Sequence, residues 1–165
     1  MAEMAELTNL ETKLGEVIGL AMAAQAATER VEKLTKDRQL VSALKTMRKE
    51  AARAEKDGTA VAGSIDRKKG KILAEARTVK KKGATMMKTY LERGSDELDG
   101  FEFLTMAEAG EVGHWSVLQE LNKQAKHDGI RQLVSTHLPI QQRHLKDVMA
   151  ASRKLAAKED ANASA

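Results

Sequence analysis

The sequence has no cysteine, a single proline (Pro139) and only four aromatic residues, two Phe, one Tyr and one Trp. Without cysteine, disulfides, thiol nucleophiles and zinc-finger ligand sets are excluded. So few aromatics leave no stacking platform for single-stranded nucleic acid or flipped bases. Long hydrophobic runs are missing too. The longest uncharged stretch, Val17 to Thr28, is mostly small residues and far short of the ~20 apolar residues that cross a bilayer. The opening MAEMAELTNLE carries acids where a secretory signal needs a basic start and an apolar stretch, so a cytoplasmic protein with no membrane partner is expected. Phosphate-binding loops, dinucleotide fingerprints, nucleophile elbows, His-Glu-x-x-His and calcium loops are also absent from the sequence.

What remains reads as helix. The chain has 165 residues, 42% hydrophobic and 32% charged, enough to bury roughly 70% of the unfolded surface in one core. Val and Ile are scattered, nothing alternates at period two, and apolar residues recur at steps of three and four. An all-α, antiparallel bundle of four to five helices is therefore expected. It should form one domain over residues 1–157, with a disordered tail at 158–165. Thr8 and Glu11 form a capping box opening helix one, whose stripe Leu10, Leu14, Val17, Ala21, Ala24, Thr28, Val31 is small in the middle and admits a close neighbour. Helix two should start at Asp37 and end at the turn dipeptide Asp57-Gly58. Helix three, about residues 70–93, places Ile72, Ala76, Val79, Gly83, Met86 and Tyr90 on one face. Asp99 and Glu102 suggest the box that opens helix four, which runs to His127; Asp128-Gly129 then turns the chain into helix five.

Polar residues interrupt the last two helices. The expected core face of helix four reads Leu104, Ala107, Glu111, His114, Leu118, Leu121, Ala125; that of helix five reads Ile130, Val134, His137, Gln141, His144, Val148, Ala151, Leu155. A hairpin centred on Asp128-Gly129 brings His114, Gln141 and His144 to one level, roughly 20 Å from the turn at about 1.5 Å per residue. Glu111 lies one turn beyond. A buried carboxylate must be paired, protonated or bound to a cation. Glu-x-x-His puts acid and imidazole on one helix face, a donor pair suited to iron, manganese or zinc, with no organic cofactor indicated. The candidate ligands are Glu111 as the anion, His114 and His144 as neutral nitrogen donors, and Gln141 as a weak oxygen ligand or supporting hydrogen-bond partner. The same residues equally make a satisfied polar layer that sets register and binds nothing. Trp115 would shield this region from water. His137, ahead of Pro139, is expected to bond a carbonyl freed by the proline, and His127 to sit on the surface at a helix C-terminus.

The segments AEAGEVGHWSVLQEL and LPIQQRHLKDV resemble the second helical pair of a bacterial ferritin-like domain, over about a third of the chain. Such domains are four-helix bundles whose facing helices supply Glu and Glu-x-x-His ligands to a carboxylate-bridged metal pair. Glu111-Val112-Gly113-His114 matches the motif. Gln141-Gln142-Arg143-His144 has Gln in place of Glu, and an amide cannot bridge two cations. On the first pair, Glu16, Glu29 and Glu50 are the acids that could face inward. The resemblance implies a homo-oligomeric metal-binding protein engaged in iron or manganese oxidation, storage, or protection from peroxide stress. The other reading is a non-catalytic helical assembly or scaffold protein with a basic partner-binding face.

That face comes from one segment. Residues 66–93 carry ten Lys or Arg against three acids, whereas the rest of the chain is net acidic. Arg67, Lys68, Lys69, Lys71, Lys80, Lys81 and Lys82 are its densest part. Such a face would hold nucleic acid weakly and without sequence preference, or remain a solvated face matched to an acidic patch on another copy.

Overall fold

The structure, a computed structural model, describes residues 6–165, so the first five residues of the acidic opening stretch lie outside it. Among the described residues there are five helices and no strand: α1 (Asn9–Leu34), α2 (Arg38–Ser64), α3 (Lys69–Tyr90), α4 (Glu97–Ala125) and α5 (Asp128–Ala156). Helices α1, α2, α5 and α4 pack as a ring, each against the next, and α3 lies outside it, chiefly on α1. None is long and apolar enough to cross a membrane. Residues 158–165 are exposed turns.

Local chemistry sets most of the boundaries. Thr8 and Glu11 form the expected box, with Thr8 Oγ1 accepting from the Glu11 N–H at 3.2 Å and Glu11 Oε2 accepting from the Thr8 N–H at 2.8 Å. Asp37 accepts from the N–H groups of Gln39 and Leu40. The box on α4 is formed by Asp96 and Asp99, three residues ahead of the expected pair. At Asp57-Gly58 the expected stop is replaced by continuous helix to Ser64. A Cβ at residue 58 would meet Ile18 Cγ1 at 2.7 Å, so this glycine permits close packing on α1 and does not make a turn. Helix α5 likewise continues across Pro139.

The small middle of α1 does receive a neighbour, and it is α3. A Cβ on Gly15 would meet the Ile72 carbonyl oxygen at 2.7 Å, one on Gly19 would meet Val79 Cβ at 2.7 Å, and one on Gly83 would meet Ala23 Cβ at 2.7 Å. The helices approach there so closely that a Cβ on any of the three glycines would clash. The expected face of α3 holds only in its first half, where Ile72 and Ala76 are buried. Met86 and Tyr90 are 45% and 55% exposed, because the end of α3 stands away from α4.

The core forms two apolar clusters. Leu14, Ile18, Ile72, Trp115, Leu118 and Ile130 belong to one; Val31, Leu44, Phe101, Leu104 and Val148 belong to the other. Along α4 and α5 the residues separating them are polar, and the candidate site lies there.

Candidate metal centre

Helix α4 presents Glu108 and Glu111, about one turn apart and each 2% exposed. Helix α5 presents Gln141 and His144, one turn apart and equally buried. Helix α2 adds Glu50, which is partly buried. With its amide nitrogen turned toward the acids, Gln141 donates to Glu108 Oε2 at 2.9 Å and to Glu111 Oε2 at 3.2 Å. His144 stands between two carboxylates, with Nε2 3.2 Å from Glu50 Oε1 and Nδ1 3.7 Å from Glu108 Oε2. Arg143 closes the row by pairing with Glu50. The layer therefore runs from solvent to core as Arg143, Glu50, His144, Glu108, Gln141, Glu111.

Electrostatics follow from that order. Burial, helped by the neighbouring Glu108 charge, pushes the Glu111 carboxyl well above the usual carboxylate range. Burial works against a cationic His144, but Glu108 and Glu50 outweigh it and raise the imidazole above its ordinary value. With Glu111 protonated and His144 charged, the charges of Arg143 and His144 balance those of Glu50 and Glu108. Both extra protons are held by groups that would otherwise leave net negative charge in a dry interior.

Of the four ligands expected from the sequence, Glu111, Gln141 and His144 come together and His114 does not join them. Its ring is half-exposed, with Nδ1 3.1 Å from Glu16 Oε2 and 3.1 Å from Lys13 Nζ, beside the Lys13–Glu16 ion pair. The turn explains the difference. Helix α4 ends at Ala125 with Lys126 left-handed, and His127 caps α5. The hairpin is thus centred two residues earlier than Asp128-Gly129, which slips the pairing of α4 against α5 by four residues, about one turn. Glu111 and Glu108 take the level expected for His114. The buried stripe of α4 runs Leu104, Glu108, Glu111, Trp115, Leu118, Asn122. Glu108 was missing from the expected set, which followed the rival stripe through Ala107 and His114 and so lay one residue out of phase with Trp115. Glu50 does face inward; Glu16 turns to His114, and Glu29 is exposed with Lys33 beside it.

The remaining histidines also depart from expectation. His137 is buried and bonds Asp57 Oδ2 at 2.9 Å, not a freed carbonyl, and its ring lies 5.7 Å from that of Trp115. His127 is the N-cap of α5, its Nδ1 accepting from the Ile130 N–H at 3.2 Å. Trp115 is buried one turn beyond Glu111.

Among the described residues no three His, Asp or Glu side chains stand close enough around one point to enclose a cation as they are arranged. The layer as it stands is joined by protons. Compared with known proteins, the chain matches no family model, no curated protein and no solved structure.

Proposed function

We propose that this chain is a metal-binding helical bundle of the ferritin-like kind, holding one divalent cation in the layer of Glu50, Glu108, Glu111 and His144. The observation that carries the reading is charge. Three carboxylates and one imidazole from three helices, with Arg143 paired to Glu50 at the outer end, form a layer that is neutral when it holds two extra protons, which Glu111 and His144 are disposed to keep. Releasing those two protons and admitting one divalent cation leaves the layer neutral again. The donor set fits by chemistry, since carboxylate and imidazole oxygens and nitrogens suit iron, manganese and zinc. Glu108 and Glu111 would supply the anionic ligands, His144 a neutral nitrogen, and Gln141 would orient the two acids. Bound iron or manganese would supply oxidative chemistry toward dioxygen or peroxide.

Metal content of untagged protein after loading with manganese, iron(II) or zinc tests the reading. About one equivalent is expected in the wild type, with loss in Glu111→Gln and His144→Ala and retention in His114→Ala. Equal loading of Glu111→Gln and wild type overturns it.

A second reading has its own observation. Arg67, Lys69, Lys80, Lys81 and Lys82 are exposed, whereas Lys68 is tied to Glu11 at 3.2 Å and Lys71 is half-buried. Lys69 and Lys80 lie on one side of α3 and Lys81 and Lys82 spread around it, a basic surface for weak, sequence-independent binding of nucleic acid, or for the acidic side of a second copy in a homo-oligomer. Duplex DNA retained on a filter at low salt and released as salt rises supports the first form; no retention at low salt removes it.

A further inference from the structure

The end of α3 leaves a cleft between α1, α3 and α4 with a volume of about 190 Å³. Its cause is local. Gly83 rests against Ala23, which fixes α3 close to α1, while Ala24, Ala27, Ala107 and Gly110 are too small to fill the space that opens toward α4. Leu20, Met86, Phe103 and Leu104 complete apolar walls, and His114 lies at the edge. The cleft is not apolar throughout, because Glu108 and Glu111 line it from within the core. Protein interiors normally close gaps of this size. An apolar cavity of ~150 Å³ accepts benzene.

From the apolar walls, the size and the acidic floor, we infer that this cleft binds a small neutral molecule with one ring or a short chain and a single hydroxyl, the hydroxyl meeting Glu108 or Glu111. Its apolar body replaces the missing side chains, gaining contacts that the walls otherwise lack. A hydroxyl both donates and accepts, so it pairs with a carboxyl in either state. An anionic head would meet the charge of Glu108 in a buried floor, where the imidazole of His144 is already engaged by Glu108 and Glu50. The site stands on its own geometry and not on the proposed cation, although a molecule seated there would lie directly against the cation layer.

Amide chemical-shift mapping of the full chain, dialysed against chelator, tests it with phenol, toluene and benzoate. Phenol should produce saturable shifts confined to residues 20–27, 83–86 and 103–114, with binding about tenfold tighter than toluene, the worth of one hydrogen bond. Benzoate should produce none. Ala107→Trp, which fills the cleft, should abolish the shifts, and one of Glu108→Leu and Glu111→Leu should erase the preference for phenol over toluene while leaving toluene binding in place. Phenol shifts scattered over the surface, or centred on another part of the bundle, overturn the inference without any variant being needed. Equal binding of benzoate and phenol overturns the role of the acids. Because chelated protein is used, a failure here leaves the metal reading standing, and a failure to load metal leaves this one standing.

Discussion

The α1–α3 seam and the layer joining α2, α4 and α5 solve the same problem in opposite ways. The first is closed by tight steric contact at Gly15 and Gly19, where Glu75 takes part through its Cβ and Cγ and not through its charge. The second is held by long acids, an amide and an imidazole that fit only while their charges balance. A glycine seam has essentially one packing solution and is indifferent to proton or metal supply. An acid layer is stable only on condition that protons or a cation occupy it. One bundle therefore contains an unconditional joint and a conditional one. The conditional joint lies between the two apolar clusters, where it fixes which turn of α5 faces which turn of α4.

The sharpest way to break that contrast is His144→Ala. It leaves Glu50 and Glu108 facing each other in the interior without the cation between them, and the loss should be about 3–5 kcal/mol. Urea unfolding of the metal-free protein measures it. An unchanged midpoint would mean that the layer does not hold the helices. Gly19→Ala strikes the other joint. Its Cβ would meet Val79 Cβ at 2.7 Å and crowd the backbone of Ala76, so α3 must shift, at a cost of ~1–3 kcal/mol. The decisive comparison is between the two losses at several pH values: that of Gly19→Ala should stay constant, and that of His144→Ala should vary.

The two joints were unequally legible in the sequence. The all-helical architecture follows from periodicity, and the Thr8–Glu11 box fixed the start of α1 because a cap is a local device. Asp57-Gly58 misled because a glycine needed for approach to Ile18 has the same spelling as a glycine that ends a helix. On α5 every polar residue expected to face inward is buried: His137, Gln141 and His144. On α4 the phase was lost, since Ala107–His114 and Glu108–Trp115 are rival stripes of similar apolar content one residue apart. Only the hairpin register decides between them. That register depends on Lys126 adopting a left-handed conformation, which residue type alone does not announce. Gln141 and His144 were therefore readable from helix five alone, while Glu108 required tertiary contact to be seen.

The smallest expected effect is a change of slope. Glu111 holds its proton to higher pH in the folded chain than its ordinary value of 4.5, chiefly through burial, and His144 stays charged above its ordinary 6.5 because Glu108 and Glu50 outweigh burial. The folded state then binds more protons than the unfolded chain from about pH 4.5 upward, so the metal-free protein should lose stability steadily as pH rises through that window. Surface carboxylates act oppositely and at lower pH. Glu32, bonded to Arg48, and Asp37, bonded to Lys154 and the α2 amides, are both lowered. Their contribution is present above about pH 4.5 and is lost on acidification. Stability without metal should therefore peak in mild acid, between the two effects. Glu111→Gln, which is neutral at every pH, should flatten the alkaline decline while leaving the acid limb unchanged. If a divalent cation occupies the layer, the alkaline limb of the wild type should instead rise with pH, because binding takes up the deprotonated ligands. Denaturant midpoints from pH 4 to 9, with and without manganese, separate these outcomes, and parallel curves for wild type and Glu111→Gln would remove Glu111 from the conditional joint.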